Sequence, residues 1–174
     1  EKLRYGENPH QESAVYSKTK DFGINKIHGK QLSYNNYNDI FAALNISKTL
    51  PRNTGTVIIK HANPCGVSIL KDKIESYKNA LRCDPISAFG GIVACNFRIN
   101  KKIASELNKI FLEVIIGNGF EKDALKILKS KKNIRLIDAT QFNLDEILKF
   151  NSINSSILLQ SEDKKMFSKS NFKI

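Results

Sequence analysis

A lysine and a histidine stand side by side at the end of an apolar run, in VIIKHANPCG, where Lys60 and His61 precede Asn63-Pro64 and Gly66. A buried strand that ends there delivers both side chains into a turn. Histidine, with an unperturbed pKa of about 6.5, can take a proton near neutral pH. The adjacent lysine offers a cation and N–H donors to negative charge that develops in a transition state. The alternative is a histidine that caps the turn beside a solvated lysine.

Three other stretches carry candidate chemistry, each with a plainer alternative. In LRYGENPHQ the Arg4 guanidinium suits bidentate contact with a phosphate or carboxylate, and Tyr5 can stack on a planar ring or donate its hydroxyl. So close to a chain terminus, the alternative is a surface loop. In DPISAFGGIVACN, Gly90 and Gly91 would let a ligand approach the backbone and would offer unhindered N–H groups, or simply make a tight bend before a strand. Neither GxxxxGK(S/T) nor GxGxxG occurs. Glu113, the first residue of EVIIGNGF, can accept hydrogen bonds from the paired hydroxyls of a ribose or sit solvated where a strand begins. Cys65 lacks a second cysteine at redox spacing and reads as structural. Three Cys and three His occur singly, so no metal site is expected.

The elements that position these residues follow from hydrophobic periodicity. Ile40, Ala43, Leu44, Ser47 and Leu50 predict a helix over about 38–50 with Asn36 or Asn38 near its N-cap. TVIIK reads as a buried strand stopped by Asn63-Pro64. A helix near 71–83, a strand from Gly91 to Cys95, and a helix carrying Ile103, Leu107, Ile110 and Phe111 come next. The strand EVIIG, a helix over about 121–130 and the strand NIRLID complete the series. Alternating strands and helices, with continuous apolar strands, predict an α/β architecture with a mostly parallel central sheet covered on both faces. Ligands of such sheets bind beyond the strands' carboxyl ends, here expected at Lys60-His61, Asn96 and Gly117 to Gly119. Residues past 150 hold one more apolar run, Ile157 to Leu159, before a basic tail.

Composition bounds the function classes. With 41% hydrophobic and 26% charged residues in 174, the chain can bury a core, and collagen, coiled coil and wholesale disorder are excluded. No run approaches the roughly 20 apolar residues of a membrane span. EKLRYGENPHQ has no apolar signal core and no starting Met, so a cytoplasmic piece of a longer polypeptide is expected. The net charge of +11 is spread evenly, +5 over residues 1–90 and +6 over 91–174. Two denser clusters, Lys129, Lys131, Lys132 and Arg135, then Lys164, Lys165, Lys169 and Lys173, read as solvated surface rather than a nucleic-acid-binding arm. The overall field favours small anionic substrates.

Taken together, LRYGENPHQ, KQLSYNN, VIIKHANPCGV, CDPISAFGG and EVIIGNGFEKDAL resemble, in collinear order, the 5-aminoimidazole-4-carboxamide ribonucleotide (AICAR) transformylase family. Members occur within bifunctional purine biosynthesis proteins that also carry an IMP cyclohydrolase. The resemblance implies formyl transfer from the cosubstrate 10-formyltetrahydrofolate to the 5-amino group of AICAR. It casts His61 as proton acceptor for the attacking amine and Lys60 as stabiliser of the transition state. It also implies AICAR contacts for Arg4, Tyr5, His61, Gly90 and Glu113, with no metal. The implied fold is cytidine-deaminase-like, a three-layer α/β/α arrangement, and the implied assembly is a homodimer with sites at its interface.

The resemblance covers residues 3 to about 137, so residues 1–150 are expected to form the first such subdomain and 151–174 an extension toward a missing half. That half, in the family, supplies an asparagine, an arginine and a phenylalanine to AICAR and most of the folate pocket; this stretch alone is expected to be weakly active or inactive. Ala62 stands where many relatives carry a polar residue. The rival expectations are a basic RNA-binding module and a structural dimerisation module.

Overall fold

The computed structural model describes residues 1–17, 22–144 and 148–163. By internal contacts the chain divides into two compact units, Glu1–Asn143 and Leu144–Ile174, the division falling ahead of the boundary drawn at residue 150. In the first unit, β1 (Asn25–His28), α1 (Tyr34–Thr49), β2 (Gly55–Lys60) and β3 (Asn63–Ile69) come first. α2 (Lys73–Cys83), α3 (Pro85–Ala88), β4 (Ile92–Cys95), α4 (Lys101–Leu107), β5 (Val114–Gly117), α5 (Lys122–Leu128) and β6 (Arg135–Asp138) follow. The second unit holds a hairpin of β7 (Leu148–Ile153) and β8 (Ser156–Ser161), exposed along both strands, and the run Ile157 to Leu159 lies on β8. The basic cluster Lys164, Lys165, Lys169 and Lys173 lies outside the described residues.

Six strands form one sheet in the order β1-β6-β5-β4-β2-β3. β4, β5 and β6 pair in parallel at its centre, and antiparallel pairs flank them, so four of the six strands point the same way. Every residue of β4 and β5 is buried because both sheet faces are covered. Ile58, Val93, Cys95, Ile115 and Leu136 pack with residues of α2, α4 and α5 on one face. Val57, Ile59, Ile92, Ala94, Val114, Ile116 and Ile137 pack with Ile40, Ala43 and Leu44 of α1 on the other. Successive strand residues alternate between these two cores, which is the period of two expected of a pleated strand. The result is the expected three-layer α/β/α architecture.

Several local expectations change. α1 starts earlier than predicted, at Tyr34, because Ser33 and Asn36 cap it reciprocally: each side chain bonds the other's backbone N–H at 3.2 Å. Asn36 is thus the third residue of the helix rather than its cap. α4 stops at Leu107, leaving Ile110 and Phe111 outside it, with Phe111 half exposed. Asn63-Pro64 does not stop a strand but begins one. β3 is an edge strand with an irregularity opposite Ile58 and Ile59, the setting in which a proline costs no ladder bond.

That hairpin reverses the strand-end expectation. β2 runs antiparallel to β4, so its carboxyl end meets the amino ends of the parallel strands: Ile59 pairs with Ile92, Ile92 with Val114, and Val114 with Arg135. Asn96 and Gly117 to Gly119 follow the other end of the same strands, where Thr56 pairs with Cys95 and Cys95 with Gly117. Lys60-His61 and the Asn96 and Gly117 loops therefore lie at opposite ends of the sheet's strands.

Candidate functional site

At the strand ends that carry Lys60 lies a cavity of about 420 Å³, within the range of small-molecule sites. Tyr5, Lys60, His61, Gly90 and Glu113, five of the six residues singled out in the sequence, line it. The sixth, Arg4, lines an adjoining recess of about 190 Å³ that shares Tyr5, Lys30, Ser33 and Arg135 with the larger cavity. Residues separated by more than a hundred positions converge here because the chain's N-terminal arm, β2 and the starts of β5 and β6 end at one place.

Lys60 and His61 owe their positions to a two-residue hairpin. Lys60 pairs with Asn63, and the two loop residues, His61 and Ala62, have φ values of 53° and 59°. Both angles positive is the two-residue turn whose twist suits a hairpin, and it normally requires Asn or Gly. Each non-glycine residue held there costs on the order of 1–2 kcal/mol. The Asp39 carboxylate on α1 offsets that cost by accepting from the His61 N–H at 3.2 Å and the Ala62 N–H at 2.7 Å. The Asn63 amide donates to the His61 carbonyl at 2.8 Å. With its backbone held on both sides, His61 presents an imidazole that has no hydrogen-bond partner among the described residues. The Lys60 ammonium donates to the Phe89 carbonyl at 2.9 Å and keeps its remaining N–H donors.

Glu113, just before β5, is held by two neighbours. The Asn36 amide donates to its Oε2 at 3.0 Å, and the Arg135 guanidinium approaches the same oxygen at 3.6 Å. Asn36 thereby both completes the capping box of α1 and anchors a cavity carboxylate. Arg135 was expected on solvated surface but is a wall of the cavity: its side chain is 15% exposed, and its Nε donates to the Gln31 carbonyl at 3.2 Å. Lys131, from the same basic cluster, is likewise tied down, donating to the carbonyls of Asn108 at 2.7 Å and Ile110 at 3.1 Å. Only Lys129 and Lys132 of that cluster stand exposed.

Of the two readings open at Gly90, a phosphate loop or a tight bend, the structure shows the bend. The Gly90 N–H donates to the Phe111 carbonyl and the Gly91 N–H to the Ala88 carbonyl, so neither is left for an anion. Gly90 instead takes a φ of 74° where a side chain would be strained, and this turns the chain into β4. Arg4 and Tyr5 sit on an N-terminal arm closed on itself by bonds between Leu3 and Ser13 and between Gly6 and Gln11. The Arg4 guanidinium lies 5.0 Å from the centre of the Tyr5 ring. Cations from Lys30, Lys60 and Arg135, with Arg4 in the recess, face carboxylates that already have partners, so the cavity favours an anionic ligand.

Cys65 is half-buried, and its thiol is pushed up mainly by burial, which suits a structural residue better than a nucleophile. Among the described residues no three His, Cys, Asp or Glu side chains come together, and no helix is long and apolar enough to cross a membrane.

A family model described as AICARFT/IMPCHase bienzyme matches residues 1–174. The chain belongs to that family. Its relatives include the bifunctional purine biosynthesis protein PurH of Bacillus cytotoxicus, 44% identical over 169 residues, which covers 92% of this chain and 32% of that protein. The PurH proteins of Bacillus cereus strain AH187 and Bacillus thuringiensis strain Al Hakam are also 44% identical, over 167 and 172 residues, with the same coverage. The chain therefore spans about a third of the length of the curated relatives it matches.

Sequence reasoning missed Lys30, Asp39 and Arg135 as cavity residues. Asp39 carries no local signal, since only the fold brings α1 against the β2–β3 turn. Arg135 opens β6, and a residue at the start of a strand beside that of Glu113 was the clue that the basic cluster obscured.

Proposed function

We propose that the cavity binds AICAR and performs formyl transfer from 10-formyltetrahydrofolate to its 5-amino group, as the transformylase part of a purine biosynthesis enzyme. The observation that carries this reading is the meeting of Lys60 and His61 with Tyr5 and Glu113 on one anion-favouring cavity. The His61 imidazole accepts the proton of the attacking amine. The Lys60 ammonium stabilises the oxyanion as the amine nitrogen bonds to the formyl carbon; the bond from that carbon to N10 of the folate then breaks, and the folate nitrogen leaves protonated. Glu113, oriented by Asn36 and Arg135, suits the ribose hydroxyls. Arg4, Lys30 and Arg135 supply cations for the 5′-phosphate, and Tyr5 flanks the base or sugar. A homodimeric, cytoplasmic enzyme that needs no metal and leaves nucleic acids and membranes alone completes the proposal.

The test is the formyl-transfer rate of the natural full-length polypeptide with Lys60→Ala and His61→Ala. Each variant is expected to lose roughly a hundredfold or more in kcat while melting near the parent's temperature, the scale on which acid–base and oxyanion groups contribute. Parental rates in both variants would remove the proposal.

A further inference from the structure

We propose that Asp39 is a positioning residue, whose carboxylate, by clamping the two backbone N–H groups of the His61-Ala62 turn, sets the imidazole for proton transfer. The inference rests on the role proposed for His61. Four observations on this part of the fold support it. The turn consists of two consecutive left-handed residues, neither of them glycine or asparagine. Both inward N–H groups end on one carboxylate, the Ala62 bond at 2.7 Å having the short length of a charge-assisted pair. The carboxylate comes from the first turns of α1, an element anchored in the core through Ile40, and not from the hairpin itself. Asp39 also lines the same cavity as Lys60 and His61, so the clamp stands at the site it orders.

The chemistry explains why an acidic group does this. Successive N–H groups in such a turn converge into a small anion-binding concavity, which an aspartate fills from the opposite layer. A β-hairpin with Asn-Gly in its loop would hold itself and need no such partner. Here the loop carries a histidine that must face the cavity, and the preference for the turn is supplied from outside. The imidazole, with no partner of its own among the described residues, depends on its backbone for aim. A displacement of about 1 Å at a reacting group costs on the order of a hundredfold in rate.

The test uses the natural full-length polypeptide with Asp39→Ala, Asp39→Asn, and Asp39→Ala combined with Ala62→Gly, read by formyl-transfer kinetics and by amide hydrogen exchange at residues 61 and 62. Asp39→Ala is expected to lower kcat roughly tenfold to a hundredfold with KM for AICAR within about threefold of the parent, and to speed exchange at both amides about tenfold. Asp39→Asn, which retains one acceptor oxygen, falls between the two. Ala62→Gly, which takes the left-handed conformation freely, recovers about tenfold of the rate lost in Asp39→Ala. That rescue separates turn geometry from the mere loss of a negative charge. Parental kcat and exchange in Asp39→Ala, a loss confined to KM, or a double variant no faster than the single one would each overturn the inference. If Asp39→Ala does not fold, the same criteria apply to Asp39→Asn with and without Ala62→Gly. Full activity in His61→Ala alongside faster exchange in Asp39→Ala would instead refute the role of His61 and leave the clamp standing.

Discussion

Gly66→Ala tests the packing that carries the hairpin. Gly66 lies on β3, and a β-carbon there would meet the Ala80 carbonyl oxygen of α2 at 1.9 Å and the Cys83 β-carbon at 3.0 Å. Its φ is not in the left-handed region, so the whole effect is steric. Relief requires α2 and β3 to part by more than about 1 Å, since non-bonded carbon contacts are optimal near 3.5–4.0 Å. The neighbour that must move is helix backbone, already packed through Ser76, Tyr77 and Ala80, and not a flexible side chain. Overpacking of this kind costs about 1–3 kcal/mol, and a rigid carbonyl puts this case at the upper end. For a chain of this size about 3 kcal/mol lowers Tm by roughly 6–12 °C. The assay is thermal unfolding followed by far-ultraviolet circular dichroism, with Gly90→Ala as comparison. At Gly90 the added carbon would meet only the Phe111 ring, at 3.6 Å, and the cost comes from the φ of 74° alone. A Gly66→Ala protein melting within about 2 °C of the parent would refute the reasoning, because no 1.9 Å approach can be absorbed so cheaply.

Three further outcomes follow from buried and capping groups. The Tyr77 hydroxyl is buried without a partner among the described residues, and burial pushes its pKa up to about 12. Tyr77→Phe is expected to raise stability by about 1 kcal/mol in urea unfolding, and a comparable loss would show that the hydroxyl has a partner after all. Burial likewise pushes the Cys95 thiol up to about 12, whereas Cys83 is exposed, so a thiol reagent should label Cys83 in the native protein and reach Cys95 only on unfolding. Labelling of both at equal rates in the native state would contradict the burial of β4. Asp84 caps α3, and hydrogen bonds from Ser87 hold its carboxyl below the usual range. A depressed folded value means that its contribution is present above the unfolded pKa and disappears as pH falls through the folded one. Asp84→Asn should therefore flatten the decline in stability as pH falls through and below the ordinary carboxylate range; urea titrations at several pH values would show an unchanged slope if the cap were inert.

Much of the fold was legible because burial on both faces writes continuous apolar runs. TVIIK, GIVAC, EVIIG and NIRLID each became a strand, and the intervening periods became α2, α4 and α5. What was not legible depends on direction and distance. A His-Ala loop bears none of the usual marks of a two-residue turn, so the reversal from β2 to β3 was invisible, and with it the fact that the Lys60 end of β2 faces the amino ends of β4 to β6. β1 was missed because NKIH is short, half-exposed and paired only at an edge. Lys60, His61, Tyr5 and Glu113 were recognisable from residue type and family resemblance, whereas Asp39 and Arg135 act through partners distant in sequence. The Gly90-Gly91 loop stayed open between an anion cradle and a tight bend because a sequence does not show where an N–H is already spent.

The central claim is that Lys60 and His61 stand on the wall of a nucleotide site. The most direct test is calorimetric titration of AICAR, at moderate salt, into the natural full-length polypeptide and into its Lys60→Ala, His61→Ala double variant. Saturable binding with one site per chain, weakened about tenfold or more in the variant while its melting temperature holds, is the predicted result. Equal affinity in the two proteins, or no binding to the parent, would contradict it.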